Sequence, residues 1–253
     1  MIDKLELVSI ISKYHLNGVV EAVRWDVKDN VLKVNFSSPA KDLLGKIEYK
    51  NFPLEDSTVA FSKTSQLNKL IAITNGYLNL EYFKQHKLIT KLIIADNQYT
   101  LDYSLTKLEY IPKAGELADD FPYTATAEID NESIAAIVKA KQALTDTDTV
   151  VIKNSPDADG EDRLELCFGG NIQQSNKVSF YLPDVNIQTP DFNEHYDSNL
   201  LKEIMYCNKD MASGTMGLCF QEEAEHMKLE FENDTLKSTY YIVAKEQIKE
   251  NDF

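Results

Sequence analysis

Lysines recur on the polar faces of four short amphipathic segments, where their ammonium groups could contact phosphates. The segments begin near Lys4, Thr64, Asn131 and Ser198. At 100° per residue, each places its aliphatic side chains on one face and at least one lysine away from that face. The lysines concerned are Lys13, Lys69, Lys139, Lys202 and Lys209. Because solvated helix faces usually carry lysine, solubility alone explains the pattern equally well.

Motifs for nucleophilic catalysis, phosphate loops and zinc are missing from the sequence. It contains no GxxxxGK[ST], GxGxxG, GxSxG or HExxH pattern. None of the four histidines has a cysteine or a second histidine at the spacing of metal ligands; these are His15, His86, His195 and His226. We therefore predict that the protein is not an enzyme and needs no cofactor.

One acidic stretch has the spacing of the first ligands of a calcium-binding loop. Asp157, Asp159 and Glu161 precede Asp162, but the twelfth position of such a loop, which needs a bidentate glutamate, is Phe168. We interpret this stretch as a solvated hairpin tip and predict no metal site.

The cysteines and the apolar runs indicate a cytoplasmic protein. Cys167, Cys207 and Cys219 are an odd number and form no CxxC pair, which is typical of reduced core cysteines. No apolar run exceeds five residues, so we expect no membrane span, and the N-terminus lacks the basic start of a signal peptide.

The four amphipathic segments belong to a larger pattern, in which a short helix precedes a meander of strands. The helix starts are about 60, 67 and 67 residues apart, although the helix sequences are not alike. Two such repeats, each a helix with its meander of strands, make one domain. The sequence therefore predicts an α+β protein with two similar domains, each with two short helices packed on antiparallel sheets. We place the N-terminal domain at residues 1–111, a linker with two prolines, a glycine and three acids at 112–123, and the C-terminal domain at 124–253.

Charge is distributed unevenly between these parts. The formal net charge of −15 divides into +1 for residues 1–111, −2 for 112–123 and −14 for 124–253. An acidic, soluble second domain accounts for this, and so does head-to-tail association of acidic and near-neutral halves. The overall acidity argues against a protein that wraps DNA tightly, but it does not exclude one that keeps its positive charge on a single face.

Taken together, these features resemble a DNA sliding clamp. The resemblance is strongest in residues 57–82 (STVAFSKTSQLNKLIAITNGYLNLEY), 127–144 (AEIDNESIAAIVKAKQAL) and 239–253 (TYYIVAKEQIKENDF). The chain is similar to the phage type of clamp, the DNA polymerase accessory protein of T-even phages, and more distantly to the proliferating cell nuclear antigen. A phage origin would place the protein in the host cytoplasm.

The resemblance implies a homotrimeric ring with the DNA clamp fold, whose helices line a pore around duplex DNA. Lys13, Lys69, Lys139, Lys202 and Lys209 would then face the DNA. The strand before the linker, near residues 105–111, would pair with an edge strand near 178–182 of the next subunit. The function implied is that of a processivity factor, which tethers the replicative polymerase.

The resemblance also implies a site beside the linker for short hydrophobic peptides of the DNA polymerase and the clamp loader. By matching the C-terminal strand, Tyr241, Val243 and Ala244 fall at this site, near Leu117 and Phe121. Ala244 replaces a proline of the eukaryotic clamp. In phages such clamps also assist late transcription, so late transcription factors are further implied partners.

Two alternatives remain open from the residues themselves. One is a non-enzymatic β-rich interaction or structural protein, whose acidic C-terminal half binds a basic partner. The other is a degenerate enzyme with a polar pocket that contains His195 or Cys207.

Overall fold

The chain divides into two compact units. The computed structural model describes residues 1–115, 121–170, 175–182, 184–189, 191–220 and 225–245. The first unit comprises Met1–Leu117 together with Glu232–Thr239, and the second comprises Ala118–Phe231 with Tyr240–Phe253. The division falls inside the predicted linker, whose described residues form no helix or strand. The segment Glu232–Thr239 groups with the first unit, where the Lys50 amide donates to the Thr235 carbonyl over 2.9 Å.

The first unit contains two helices and two antiparallel sheets. Its helices are α1 (Lys4–His15) and α2 (Thr64–Ala72). Its strands are β1 (Ile2–Asp3), β2 (Val23–Lys28), β3 (Val31–Ser37), β4 (Leu43–Lys50), β5 (Ser57–Phe61), β6 (Tyr77–Gln85), β7 (Leu88–Ala95) and β8 (Thr100–Ser104). The strands are ordered β1-β6-β7-β8 in one sheet and β4-β3-β2-β5 in the other. The core includes Trp25, whose ring lies 4.4 Å from Phe61 and 5.6 Å from Phe52.

The second unit repeats this plan. Its helices are α3 (Asn131–Ala143) and α4 (Ser198–Cys207). Its strands are β9 (Ala125–Asp130), β10 (Thr149–Asn154), β11 (Leu164–Gly169), β12 (Lys177–Leu182), β13 (Val185–Ile187), β14 (Asn193–Asp197), β15 (Ser213–Cys219), β16 (His226–Glu232) and β17 (Leu236–Val243), the last of which starts in the first unit. They are ordered β12-β11-β10-β14 and β13-β9-β15-β16-β17. The predicted fold class is confirmed, and so are the four predicted helix starts.

The helices begin where acidic side chains cap their free amides. Asp3, Asp130 and Asp197 lie directly before α1, α3 and α4 and accept backbone N–H bonds from the first turn. The start of α2 is capped from a distance, because the Glu21 carboxylate accepts the Ser65 amide over 3.0 Å. Among the described residues, no helix combines the length and the apolar character that crossing a membrane requires.

The segment before the linker differs from its prediction. Leu108–Tyr110 forms a 3₁₀ turn, and the strand expected near residues 105–111 is absent there. The Arg24 guanidinium donates to the carbonyls of Leu108 (2.8 Å) and Ile111 (2.7 Å), so these groups are not free to form a strand ladder. The last strand before the linker is therefore β8, which ends at Ser104.

A buried carboxylate is held by cations on the sheet of the second unit. Glu165 on β11 accepts from the Ser179 hydroxyl (2.6 Å) and from Lys177 (3.0 Å), and Lys153 lies 3.3 Å away. Burial by itself would raise the pKa of Glu165, but the Ser179 and Lys177 hydrogen bonds and the charge of Lys153 outweigh it and lower the pKa to about 2.

We expect the free energy of unfolding of Glu165→Gln to fall less steeply than that of wild type as pH is lowered from 5 to 2.5. The folded-state pKa lies below the unfolded value of about 4.5, so the stability due to this carboxylate is present above that value and is lost as pH falls towards about 2. At pH 7 the substitution should cost about 1–3 kcal/mol in urea unfolding. Glu81→Gln, at an exposed position, is the control. An unchanged slope between pH 5 and pH 2.5 in Glu165→Gln would contradict this assignment.

Candidate functional site

The helix lysines of the first unit differ in exposure. Lys69 on α2 is exposed, whereas Lys13 on α1 is fully buried and its ammonium group donates to the Ser9 hydroxyl over 3.1 Å. The prediction that Lys13 lies on the solvated face of α1 is wrong. Lys13 and His15 point to different sides of the last turn, and both are buried, so this turn is covered on both sides. The exposed face of α1 instead carries Leu5 and Val8.

The predicted DNA-facing lysines of the second unit are all at least partly accessible. Lys139 on α3 is exposed, and so is Lys209, whose ammonium group lies 4.1 Å from the centre of the Tyr206 ring. Lys202 on α4 is half-buried and pairs with Glu203 over 2.5 Å. Three of the five predicted lysines therefore have accessible charges, and these are Lys69, Lys139 and Lys209.

Two further lysines have structural roles that the sequence pattern did not reveal. Lys4 donates to the carbonyls of Ala72 and Thr74 at the end of α2. Lys141 is buried and donates to Leu144 and Thr145 just after α3. Cations at these positions satisfy carbonyls at or just beyond the helix ends and oppose the negative end of the helix dipole. A lysine on a helix is thus no evidence of a ligand contact until its surroundings are known.

An aromatic cluster joins the predicted peptide-site residues of the second unit. The His226 ring lies 4.7 Å from Phe121, 6.2 Å from Tyr123 and 5.6 Å from Tyr241. The Lys228 ammonium group lies about 6 Å from the rings of both Tyr123 and Tyr241. We call Phe121, Tyr123, His226 and Tyr241 the aromatic cluster.

The sequence prediction included Phe121 and Tyr241 but missed Tyr123, His226 and Lys228. For His226 and Lys228, the available signal was the alternation of side chains along β16, because these two residues share one face of that strand. Leu117, the remaining linker residue of the prediction, lies outside the described residues.

The end of β17 is fixed beside this cluster. The Ala244 amide donates to the Glu225 carbonyl (3.1 Å), and the Lys245 amide donates to the His195 carbonyl (2.7 Å). The Lys245 ammonium group binds the Asp197 carboxylate (2.9 Å) and the Asp148 carbonyl (2.7 Å). These bonds hold the backbone in place while Val243 presents 47% of its surface to solvent. An exposed aliphatic side chain on a fixed strand end is well suited to contact a ligand.

The residues named in the enzyme hypothesis lie on different elements of the second unit. Cys207 is buried in α4, and burial lowers the pKa of His195 on β14. The Asp157 carboxylate accepts the amides of Asp159 (2.9 Å) and Glu161 (3.1 Å), as in a tight turn. In the part of the chain that the structure describes, no group of three or more metal-ligating side chains is poised to hold an ion.

Known proteins share this fold at low sequence identity. No protein-family model and no curated protein matches the sequence. A crystal structure of the proliferating cellular nuclear antigen from Entamoeba histolytica is similar with a TM-score of 0.74 and 13% identity, over 96% of each chain. That of the antigen from Thermococcus kodakaraensis has a TM-score of 0.72 and 14% identity, over 96% of this chain and 97% of the other. The chain therefore has the fold of these two nuclear antigens.

We expect Lys13 to behave as a core residue. Lys13→Glu should lower the free energy of unfolding by about 2–5 kcal/mol, because it places an unmatched charge in the core. Lys13→Met, which keeps the aliphatic stem, should cost less, and Lys139→Glu at an exposed site should stay within about 0.5 kcal/mol of wild type. Urea denaturation monitored by circular dichroism measures all three. Equal losses for Lys13→Glu and Lys139→Glu would contradict the burial of Lys13.

Proposed function

We propose that the protein is a DNA sliding clamp, a homotrimeric ring that encircles duplex DNA and tethers a polymerase. The single observation that carries this proposal is the similarity of fold to the two nuclear antigens over nearly the whole length of all three chains. The twofold repetition of helix pairs and antiparallel sheets within one chain supports it, because three copies would supply six similar units to a ring. The absence of catalytic motifs from the sequence is consistent with such a scaffold.

Free sheet edges support head-to-tail assembly. Among the described strands, β8 ends one sheet of the first unit and β12 ends one sheet of the second, so each has a neighbour on one side only. We infer that β8 of one subunit pairs with β12 of the next, which replaces the pairing expected for residues 105–111. The near-neutral first half opposes the acidic second half of a neighbour less than a second acidic half would. Repetition of one heterologous contact closes a ring when its rotation permits.

The accessible lysines support weak contact with the DNA backbone. Lys69 on α2, Lys139 on α3 and Lys209 just after α4 would give a trimer nine accessible ammonium groups. Only some of them can reach phosphates at one time, so binding is expected in the range of about 10⁻⁴–10⁻⁶ M that is typical of non-specific complexes. Phosphate contacts carry no sequence information, which is what a ring that slides requires.

The aromatic cluster, together with Val243 and Ala244, is the proposed docking site for partner peptides. Aromatic and aliphatic anchors of this kind usually dominate the affinity of an interface. The DNA polymerase and the clamp loader are the proposed partners. Late transcription factors would use the same site if the protein is of the phage type.

Assembly is tested by the mass in solution. We expect light scattering to give about three times 28.8 kDa at micromolar concentration. The fraction of trimer should depend on salt between 0.05 and 0.5 M, because screening changes the interaction between the unequally charged halves of neighbouring subunits. A monomer at every concentration in low salt would overturn the ring and favour the alternative of an acidic interaction protein.

DNA binding is tested with matched charge reversals. The triple variant K69E/K139E/K209E should lose measurable binding to a 50-base-pair duplex by fluorescence anisotropy. The control K28E/K41E/K87E carries the same change in net charge at exposed lysines on strand ends and turns, and should retain most of the binding. Lys33 and Lys91 are unsuitable controls, because each forms an ion pair.

Retention on DNA tests the ring topology. The wild-type protein, loaded by its cognate clamp loader on a closed circular plasmid, should stay bound and should leave when the plasmid is linearised. Equal effects of the two triple variants, or equal retention on closed and linear DNA, would contradict the proposed function.

A further inference from the structure

The order of the elements shows which sheet edges of the two units correspond. In the first unit β2, β3 and β4 follow α1 and β5 precedes α2, while in the second unit β10, β11 and β12 follow α3 and β14 precedes α4. These strands are arranged as β4-β3-β2-β5 and β12-β11-β10-β14, so β12 is the counterpart of β4. In the same way β8 and β17 are the third strands after α2 and α4, so β8 is the counterpart of β17.

The edge of β4 is covered, whereas that of β12 is open. The start of β17 groups with the first unit, where the Lys50 amide at the end of β4 donates to the Thr235 carbonyl over 2.9 Å. Ile47 on the core face of β4 is fully buried, but Val178 and Phe180 on the core face of β12 are only half-buried. Among the described strands, β11 alone pairs with β12. The second unit therefore lacks the neighbour that the start of β17 provides to the first.

The repeated plan indicates which strand fits the open edge. Because the start of β17 lies beside β4, its counterpart β8 is the strand expected beside β12. Within the described residues of one chain, β8 and β12 belong to different sheets and are not neighbours. A second copy of the chain is therefore the partner that can supply β8 to this edge.

The lengths of β8 and β12 and the directions of their side chains restrict how they can pair. β8 has five residues and β12 has six. Leu101 and Tyr103 of β8 are buried on the core face, and Val178 and Phe180 of β12 also point to the core. An antiparallel register that matches these faces and pairs every residue of β8 places Leu101 opposite Phe180 and Tyr103 opposite Val178. A slip by one residue would set core-face side chains against outward ones, and a slip by two would leave part of β8 beyond the end of β12.

The same register brings opposite charges together on the outer face. Asp102 of β8 would lie opposite Ser179 of β12 and diagonally beside Lys177, within reach of its long side chain. In the chain itself, the Lys177 ammonium group lies 3.0 Å from the Glu165 carboxylate, and Asp102 lies 2.7 Å from Lys91. Cations and carboxylates would therefore alternate across the boundary between two copies.

We propose that β8 of one copy pairs with β12 of the next in this register, with Asp102 opposite Ser179 and beside Lys177. The inference rests on the proposed ring assembly, and it specifies which side chains meet at the subunit boundary. Its support is the correspondence of β12 with the covered edge of β4, the match of core faces over the full length of β8, and the complementary charges of Asp102 and Lys177.

The register is tested with pairs of introduced cysteines. Directly opposed residues have Cα atoms about 4.5–5.5 Å apart, which a disulfide can bridge, whereas a shift of two residues increases this distance to about 8 Å, beyond the limit of about 7 Å. D102C/S179C reports the proposed register, and D102C/K177C and D102C/Y181C report the two shifted ones. All variants carry Cys167→Ser, because Cys167 lies opposite Ser179 on β11.

We expect oxidised glutathione to convert most of D102C/S179C into covalent dimers and trimers on a non-reducing gel, with loss of the monomer band. D102C/K177C, D102C/Y181C and D102C alone should keep that band. A disulfide within one chain would not change the mass, so the ladder reports contacts between copies. Preferential cross-linking of a shifted pair would overturn the register.

The charge contact is tested by reversal of Asp102. D102K should raise the concentration at which half of the trimer dissociates by about three- to tenfold, because it replaces an attraction to Lys177 by a repulsion. The control E81K makes the same change of charge in the same row of the sheet, two strands away from the edge. Sedimentation equilibrium measures both. Equal shifts for D102K and E81K would overturn the contact between Asp102 and Lys177.

The same data separate the register from the proposed function. If wild type is a monomer at every concentration, the ring fails and the register fails with it. If wild type is a trimer but no cysteine pair cross-links, or only a shifted pair does, the ring stands and the proposed register is overturned.

Discussion

The burial of helix faces against antiparallel sheets is the constraint on which the other features of each unit depend. A short helix is marginal in water and gains its stability from packing its apolar side. In the first unit, α1 and α2 are also joined by polar contacts: His15 at the end of α1 lies 3.1 Å from the Glu21 carboxylate, which in turn caps α2. This docking decides which side chains remain accessible, so it buries Lys13 and exposes Leu5, Val8 and Lys69.

The same docking gives the two units different helix surfaces. Lys139 and Lys209 are accessible in the second unit, while the exposed face of α1 in the first unit is partly aliphatic. Weak, non-specific attraction to phosphates needs few cations, and topology rather than affinity would retain a closed ring on DNA. A strongly acidic chain can therefore act on DNA, provided that the few accessible lysines lie where the duplex passes.

Hydrogen-bonding groups at sheet edges decide where partners can attach. At residues 108–111 the Arg24 guanidinium binds two carbonyls, and the segment forms a 3₁₀ turn. Among the described strands, β8 and β12 each have a neighbour on one side only, and an open edge is the natural place for a strand from another chain. At the end of β17, by contrast, backbone bonds to Glu225 and His195 hold the strand in place and leave Val243 at the surface. The second unit thus combines a sheet edge with an exposed aliphatic side chain at a fixed strand end.

The helix starts, the α+β class and the recurrence of the structural plan follow from the sequence, because caps such as Asp130 and the spacing of aliphatic residues act locally. Resemblance to a known strand and linker also led to Phe121 and Tyr241 as proposed peptide-site residues. The sequence does not reveal that Lys13 is buried, that His226 lies beside Phe121 and Tyr241, or that Gly217 leaves room for Tyr123. These features appear only in the folded chain, because burial and contact depend on residues far apart in the sequence. A helical angle gives the direction of a side chain but not the depth to which its helix is covered.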